Sequence, residues 1–200
     1  YDNVANDQRT IVYRQRNELM ASDDISDLLV DMRKEVVEQL VDTFIPPQSV
    51  PEQWDIEGLE QALQVEFASE QPVQAWLDAD EKLYEEQIKE RVLENLNQAY
   101  EEKSAAVGDK MRAFEKQITL QILDGLWKEH LATMDHLRQG IFLRSYGGKN
   151  PRQEYKREAF ALFQDLMTNL QQEVTKVLSH VRIRQDDEAD AIEKQRAAEL

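Results

Sequence analysis

Apolar residues return every three or four positions along most of this 200-residue chain, and Val, Ile and Thr nowhere alternate with polar residues over a useful length. That period belongs to the amphipathic helix rather than the strand, so an all-α fold is predicted. Val4, Ile11, Val12 and Leu19 predict a helix over 2–21, and Ser22, Asp23 and Asp24 interrupt it and offer a cap to the next. Ile25, Leu28, Met32, Val36, Leu40 and Phe44 mark a second helix, stopped by the Pro46-Pro47 pair because proline has no N–H and disfavours helix before it. After a loop over 48–54, Asp55 can cap a short helix through Leu59, Leu63 and Phe67. Pro72 opens a turn carrying Trp76, and Asp78 or Asp80 is placed to cap a longer helix with Leu83, Ile88, Val92, Leu96 and Tyr100.

Beyond Gly108 the pattern lengthens. Met111, Phe114, Ile118, Ile122, Leu126, Met134, Leu137 and Ile141 form one stripe, broken only where His130 takes a stripe position. Tyr155, Ala159, Leu162, Leu166, Leu170, Val174, Val177 and Val181 form a second. Each predicts a helix roughly 50 Å long at 1.5 Å per residue. Between them stands FLRSYGGKNPRQEYKREAF (142–160), with the only Gly-Gly pair of the chain. Gly147 and Gly148 can take positive φ and end the first helix. Asn150 can cap the second, with Pro151 at its first position and Gln153 at its third completing a capping box. Two long amphipathic helices joined by so short a link are antiparallel neighbours, so a helical hairpin with Tyr146 near its apex is predicted.

Charge changes the picture in one respect. The chain holds 40 acidic and 24 basic residues. Residues 52–102 carry 15 acids against 3 bases, whereas 138–184 carry 9 bases against 4 acids. The acidic block reads as solvated helix faces; the basic block surrounds the hairpin apex and suggests a different partner there. Cysteine is absent, which excludes disulfides and thiolate zinc sites within the chain and points to a reducing compartment. No apolar run approaches the roughly 20 residues of a membrane span. The chain opens on Tyr1 in mid-pattern, as expected of a fragment of a larger protein.

Candidate chemistry is sparse. His130 and His136 are six apart in KEHLATMDH, off the spacing of four that a helical zinc motif needs, and a lone helical His such as His180 is more often structural or an interface residue. No pair of carboxylates stands out and no phosphate-binding loop is present, so neither a catalytic site, a cofactor nor a metal is expected in this chain. Trp76 and Trp127 read as core. At the apex, Arg144, Ser145, Tyr146, Gly147, Gly148, Lys149 and Asn150 are candidates for contact, supported by Arg152, Lys156 and Arg157. Two readings stay open there: an exposed ring and cations that meet a partner, or a Tyr146 laid back on Phe142 with bases that only solubilise the tip. Nucleic acid is not an expected partner of so anionic a chain.

The segment LWKEHLATMDHLRQGIFLRSYGGKNPRQEYKREAFALF (126–163) resembles the two-helix finger of the SecA family of preprotein-translocase ATPases. YDNVANDQRTIVYRQRNEL (1–19) resembles the end of that family's scaffold helix, and FIPPQSVPEQWDIEGL (44–59) its helical wing. The resemblance is collinear to about Arg184. It implies a scaffold helix over 1–24, a wing over 25–107, scaffold and finger over 108–184, and an acidic extension or linker over 185–200. It implies no catalysis here, with ATP and Mg2+ held by upstream nucleotide-binding domains. It implies the SecY channel, unfolded preprotein and those upstream domains as partners, an anionic membrane surface as a further one, and a cytoplasmic location at the bacterial inner membrane. Tyr146 matches the family's finger-tip tyrosine. Many members follow it with Ala-Gln; here Gly147 and Gly148 do, which implies a more mobile tip. A stand-alone helical adaptor or holdase is the alternative.

Overall fold

The computed structural model describes residues 1–144, 147, 148, 150–182 and 194–198. Seven α-helices carry the fold: α1 (Asp2–Ala21), α2 (Ser26–Phe44), α3 (Ile56–Phe67), α4 (Val73–Ala79), α5 (Glu85–Val107), α6 (Lys110–Arg144) and α7 (Pro151–His180). A 3-10 turn, Pro51–Gln53, precedes α3, and no strand occurs among the described residues. The all-α expectation holds, and so does the hairpin. α6 has 35 residues and α7 has 30, lengths of about 50 and 45 Å.

Local signals explain most helix ends. Asp55 accepts the Gly58 N–H at 2.9 Å and starts α3 as its spacing predicts. Gly108, at φ 81°, turns α5 into α6. α5 departs from expectation: it begins after Tyr84, whose N–H is accepted by the Gln87 side chain at 3.3 Å, and Asp80 instead accepts the Lys82 N–H in the preceding turn.

The apolar interior forms two main cores. One gathers Leu29 and Met32 of α2, Tyr100 of α5, Leu123 and Trp127 of α6, and Phe163 and Leu170 of α7. The other gathers Val37 and Val41 of α2 with Leu59, Leu63, Val73, Ile88 and Val92. The changeover falls inside helices, between Met32 and Val36 on α2 and between Leu96 and Tyr100 on α5. A third, smaller cluster of Met134, Leu137, Ile141, Tyr155 and Ala159 holds the outer half of the hairpin together.

Most predicted stripe positions are buried, among them Leu63, Val92, Leu137, Ile141 and Leu166, but parts of α2 and α6 run one position away from expectation. Leu28 is exposed while Leu29 is buried. On α6, Phe114, Ile118, Ile122 and Leu126 are half-buried flanks, and the fully covered line is Met111, Glu115, Thr119, Leu123 and Trp127. α6 is covered by α1, α5 and α7, so its middle line is enclosed whatever its polarity. Thr119 meets that enclosure by donating to the Glu115 carbonyl at 2.8 Å. His130 is structural: its Nε2 lies 2.7 Å from Gln8 Oε1, Gln8 Nε2 donates to the Ala159 carbonyl at 3.0 Å, and the ring stacks on Trp127. One buried amide thus ties α1, α6 and α7 together. Burial pushes the His130 pKa down, and because Gln8 Oε1 accepts, Nε2 carries the proton.

Candidate functional site

The far end of the hairpin is built from a stop and a start. Gly148 takes φ 77°, a left-handed conformation that admits glycine at little cost. Gly147 lies in a 3-10 turn beside it. Asn150 Oδ1 accepts the Arg152 N–H at 3.0 Å and Pro151 occupies the first helical position. No reach-back from Gln153 completes a capping box among the described hydrogen bonds.

The predicted contact residues fall into three groups. Ser145, Tyr146 and Lys149 lie outside the described residues. Arg144 is ion-paired with Glu158 across the hairpin, and Arg157 with Glu154 at 2.5 Å along α7, so two of the expected cations are already neutralised. Arg152 and Lys156 are exposed and take part in none of the described ion pairs.

Sequence reasoning missed an apolar group. Phe142 is 68% exposed, Leu143 76% and Phe160 64%, the three most exposed large hydrophobic residues described. Each sits just past a buried stripe residue: Phe142 and Leu143 follow Ile141, and Phe160 follows Ala159. That run of apolar residues off the stripe was the available signal, since an amphipathic helix normally carries polar residues there. Beneath them Tyr155 is buried and meets the Tyr1 ring edge-on at 4.7 Å, and burial raises the Tyr155 pKa. The tip therefore presents apolar rings, an isobutyl group and two unpaired cations on a packed stem. Apolar rings beside cations suit packing and charge contacts rather than any one side-chain pattern. Among the described residues no cluster of His, Cys, Asp and Glu could hold a metal, and no helix is long and apolar enough to cross a membrane.

Comparison with known proteins places this geometry in a family. The SecA Wing and Scaffold domain matches residues 1–182. The chain is similar to the protein translocase subunit SecA of Pseudomonas putida strain F1, at 52% identity over 191 residues, which is 95% of this chain and 21% of that protein. It is 52% identical to the SecA subunit of Nitrosococcus oceani over 199 residues, 99% of this chain and 22% of that protein. The subunit of P. putida strain W619 matches at 50% over 203 residues, 100% of this chain and 22% of that protein. The chain thus spans about a fifth of the length of these relatives. By the match along nearly its whole length, it belongs to the SecA wing and scaffold domain family.

Proposed function

We propose that this chain is the scaffold, wing and two-helix-finger portion of a SecA-type motor, a part that transmits force and contacts the moving polypeptide while ATP and Mg2+ are handled by domains outside it. One observation carries the reading: a member of this family bears a hairpin about 50 Å long, whose outer part exposes Phe142, Leu143 and Phe160 as well as Arg152 and Lys156. An unfolded protein offers no fixed side-chain pattern, so a surface that handles it must rely on contacts any sequence can make. Aromatic and aliphatic groups pack on passing apolar side chains, and a phenol can also hydrogen-bond backbone. Tyr146, flanked by Arg144, Ser145, Gly147, Gly148, Lys149 and Asn150, takes the role of the substrate-contacting tip residue. Arg152, Lys156 and Arg157 face acidic groups at the mouth of the SecY channel or anionic headgroups of the inner membrane.

Placed in the whole motor, Tyr146→Ala is expected to leave helicity intact and impair translocation of an unfolded preprotein, and Tyr146→Phe separates ring from hydroxyl. Unchanged translocation in Tyr146→Ala, and also in a Phe142→Ser, Phe160→Ser double variant, rejects the tip role.

A further inference from the structure

The wing core packs on the hairpin through α2 and α3, which lie against α7, and the last turns of α5 add contacts to both hairpin helices that are polar and largely buried. Tyr100 donates its hydroxyl to Glu115 Oε2 at 2.6 Å, and Glu115, at the start of α6, is fully covered. Arg112 Nε stands 2.9 Å from the other carboxylate oxygen, an ion pair off the hydrogen-bond axis. The Arg112 guanidinium also reaches Ser104 of α5 and lies 3.9 Å from Asp24. From α2, Arg33 lies 4.2 Å over the Tyr100 ring and donates to Asn97 at 2.8 Å. One turn further, Lys103 Nζ donates to the carbonyls of Leu178, Ser179 and Val181 at 2.7, 3.0 and 3.0 Å. A lysine of one helix thus closes the C-terminal end of another, where the helix dipole favours a cation.

A cavity of about 560 Å³ lies here, lined by Arg33, Lys103, His180 and Arg182 with no carboxylate. It does not read as an anion site. All three Lys103 donors are occupied by carbonyls, Arg33 is stacked on Tyr100 and bonded to Asn97, and His180 Nε2 lies 2.8 Å from the Val65 carbonyl. The cations answer the end of α7 and the buried Glu115.

The choice of polar contacts is informative. Apolar helix faces can slide past one another at small cost, whereas directional hydrogen bonds in a dry site admit one arrangement. A buried ionic network is also a poor source of stability compared with a hydrophobic filling of the same space. Desolvation raises the Glu115 pKa and lowers that of Lys103, so both charges are held against resistance. A single face of α5 grips both helices of the hairpin at its open end, α6 through Tyr100 and Ser104 and α7 through Lys103.

We propose that Tyr100 and Lys103 are positioning residues of a joint that fixes the angle between wing and hairpin, so that the finger moves with the wing as one lever. The proposal rests on the finger reading given above for its use. Its test does not, because it reads geometry within this chain.

The chain has no native cysteine, so Glu81→Cys on the wing and His136→Cys on the hairpin, both exposed, accept two spin labels. Electron–electron distance measurement should return one narrow distribution. Lys103→Met should broaden it about twofold, since local ties set how far a body can rock, and Lys103→Arg should restore the narrow form. A control pair within the hairpin, Asp135→Cys and Gln164→Cys, should stay narrow and helix content unchanged, which a general loss of stability would not leave intact. Tyr100→Phe removes only the hydroxyl; it should broaden the wing–hairpin distance in the same way and decides the matter if Lys103→Met fails to fold. A wing–hairpin distribution as narrow as the parent's in Lys103→Met, or in Tyr100→Phe when the first does not fold, overturns the proposal. Equal broadening of the control pair overturns it as well.

Discussion

At the base of the α6–α7 hairpin, a carboxylate, a phenol and Arg33 are packed out of solvent with the partly exposed Arg112 beside them; toward its tip, two phenylalanines and a leucine are mostly exposed. The usual sorting of side chains is inverted at both ends, and between them the hairpin obeys it, with Met134, Leu137, Ile141 and Ala159 inside. The inversion has different causes. Buried polar groups are tolerated when each finds a partner, and they hold one geometry against the alternatives. Large apolar groups left mostly in solvent, by contrast, leave much of their surface available for contact. On the readings proposed above, one end serves angular definition and the other adhesion to a varied partner.

That contrast can be broken most sharply at Glu115. Glu115→Ala leaves the Tyr100 hydroxyl without its acceptor and the Arg112 guanidinium without its ion-pair partner, and a loss of about 3 kcal/mol is expected, the low end for a broken buried pair because Arg112 keeps some solvent. The urea midpoint of unfolding measures it. At the tip the backbone matters more than the side chains. Asn150→Ala removes the α7 cap at a cost of about 1 kcal/mol, read as faster amide exchange at Arg152, whose N–H the cap accepts. A pH series sharpens the base further. The Glu115 pKa is raised in the fold by burial, so its contribution to stability is fully present below the ordinary carboxylate range and is lost as pH rises through the raised value. Glu115→Gln, which keeps a neutral partner for Tyr100, should show no such decline; parallel curves for parent and variant would mean the carboxyl does not titrate in that window. The smallest effect is expected where the exposure is greatest. The Phe142→Ser, Phe160→Ser pair should change stability by about 0.5 kcal/mol or less, and a larger loss in thermal unfolding would show that these rings pack on the fold.

Much of this was legible in the residues. Asp55, Gly148, Asn150 and Pro151 state their turns locally, because a cap or a positive φ is decided within four residues. The long stripes of α6 and α7 likewise fixed a hairpin through their shared length and short link. The covered line of α6 was not legible. Periodicity selects the most apolar face, Phe114 to Leu126, whereas the enclosed line holds Glu115 and Thr119. What encloses it is α1, α5 and α7, and what satisfies Glu115 is Tyr100, 15 residues away on another helix. A single helix carries no record of the partner that will pay for its buried acid. The expected cations at the apex lost part of their charge for the same reason, since Glu158 meets Arg144 only once the hairpin has closed.

α2 runs without interruption from one core into the other, with Leu29 and Met32 in the first and Val37 and Val41 in the second. A continuous helix resists being half wound and half loose. Heat or denaturant that loosens one core must therefore pull on the other too, and the pair should melt in a single step. Any attempt to excise the wing by cutting at helix ends would leave α2 with half of its greasy face bare, prone to clump with other copies.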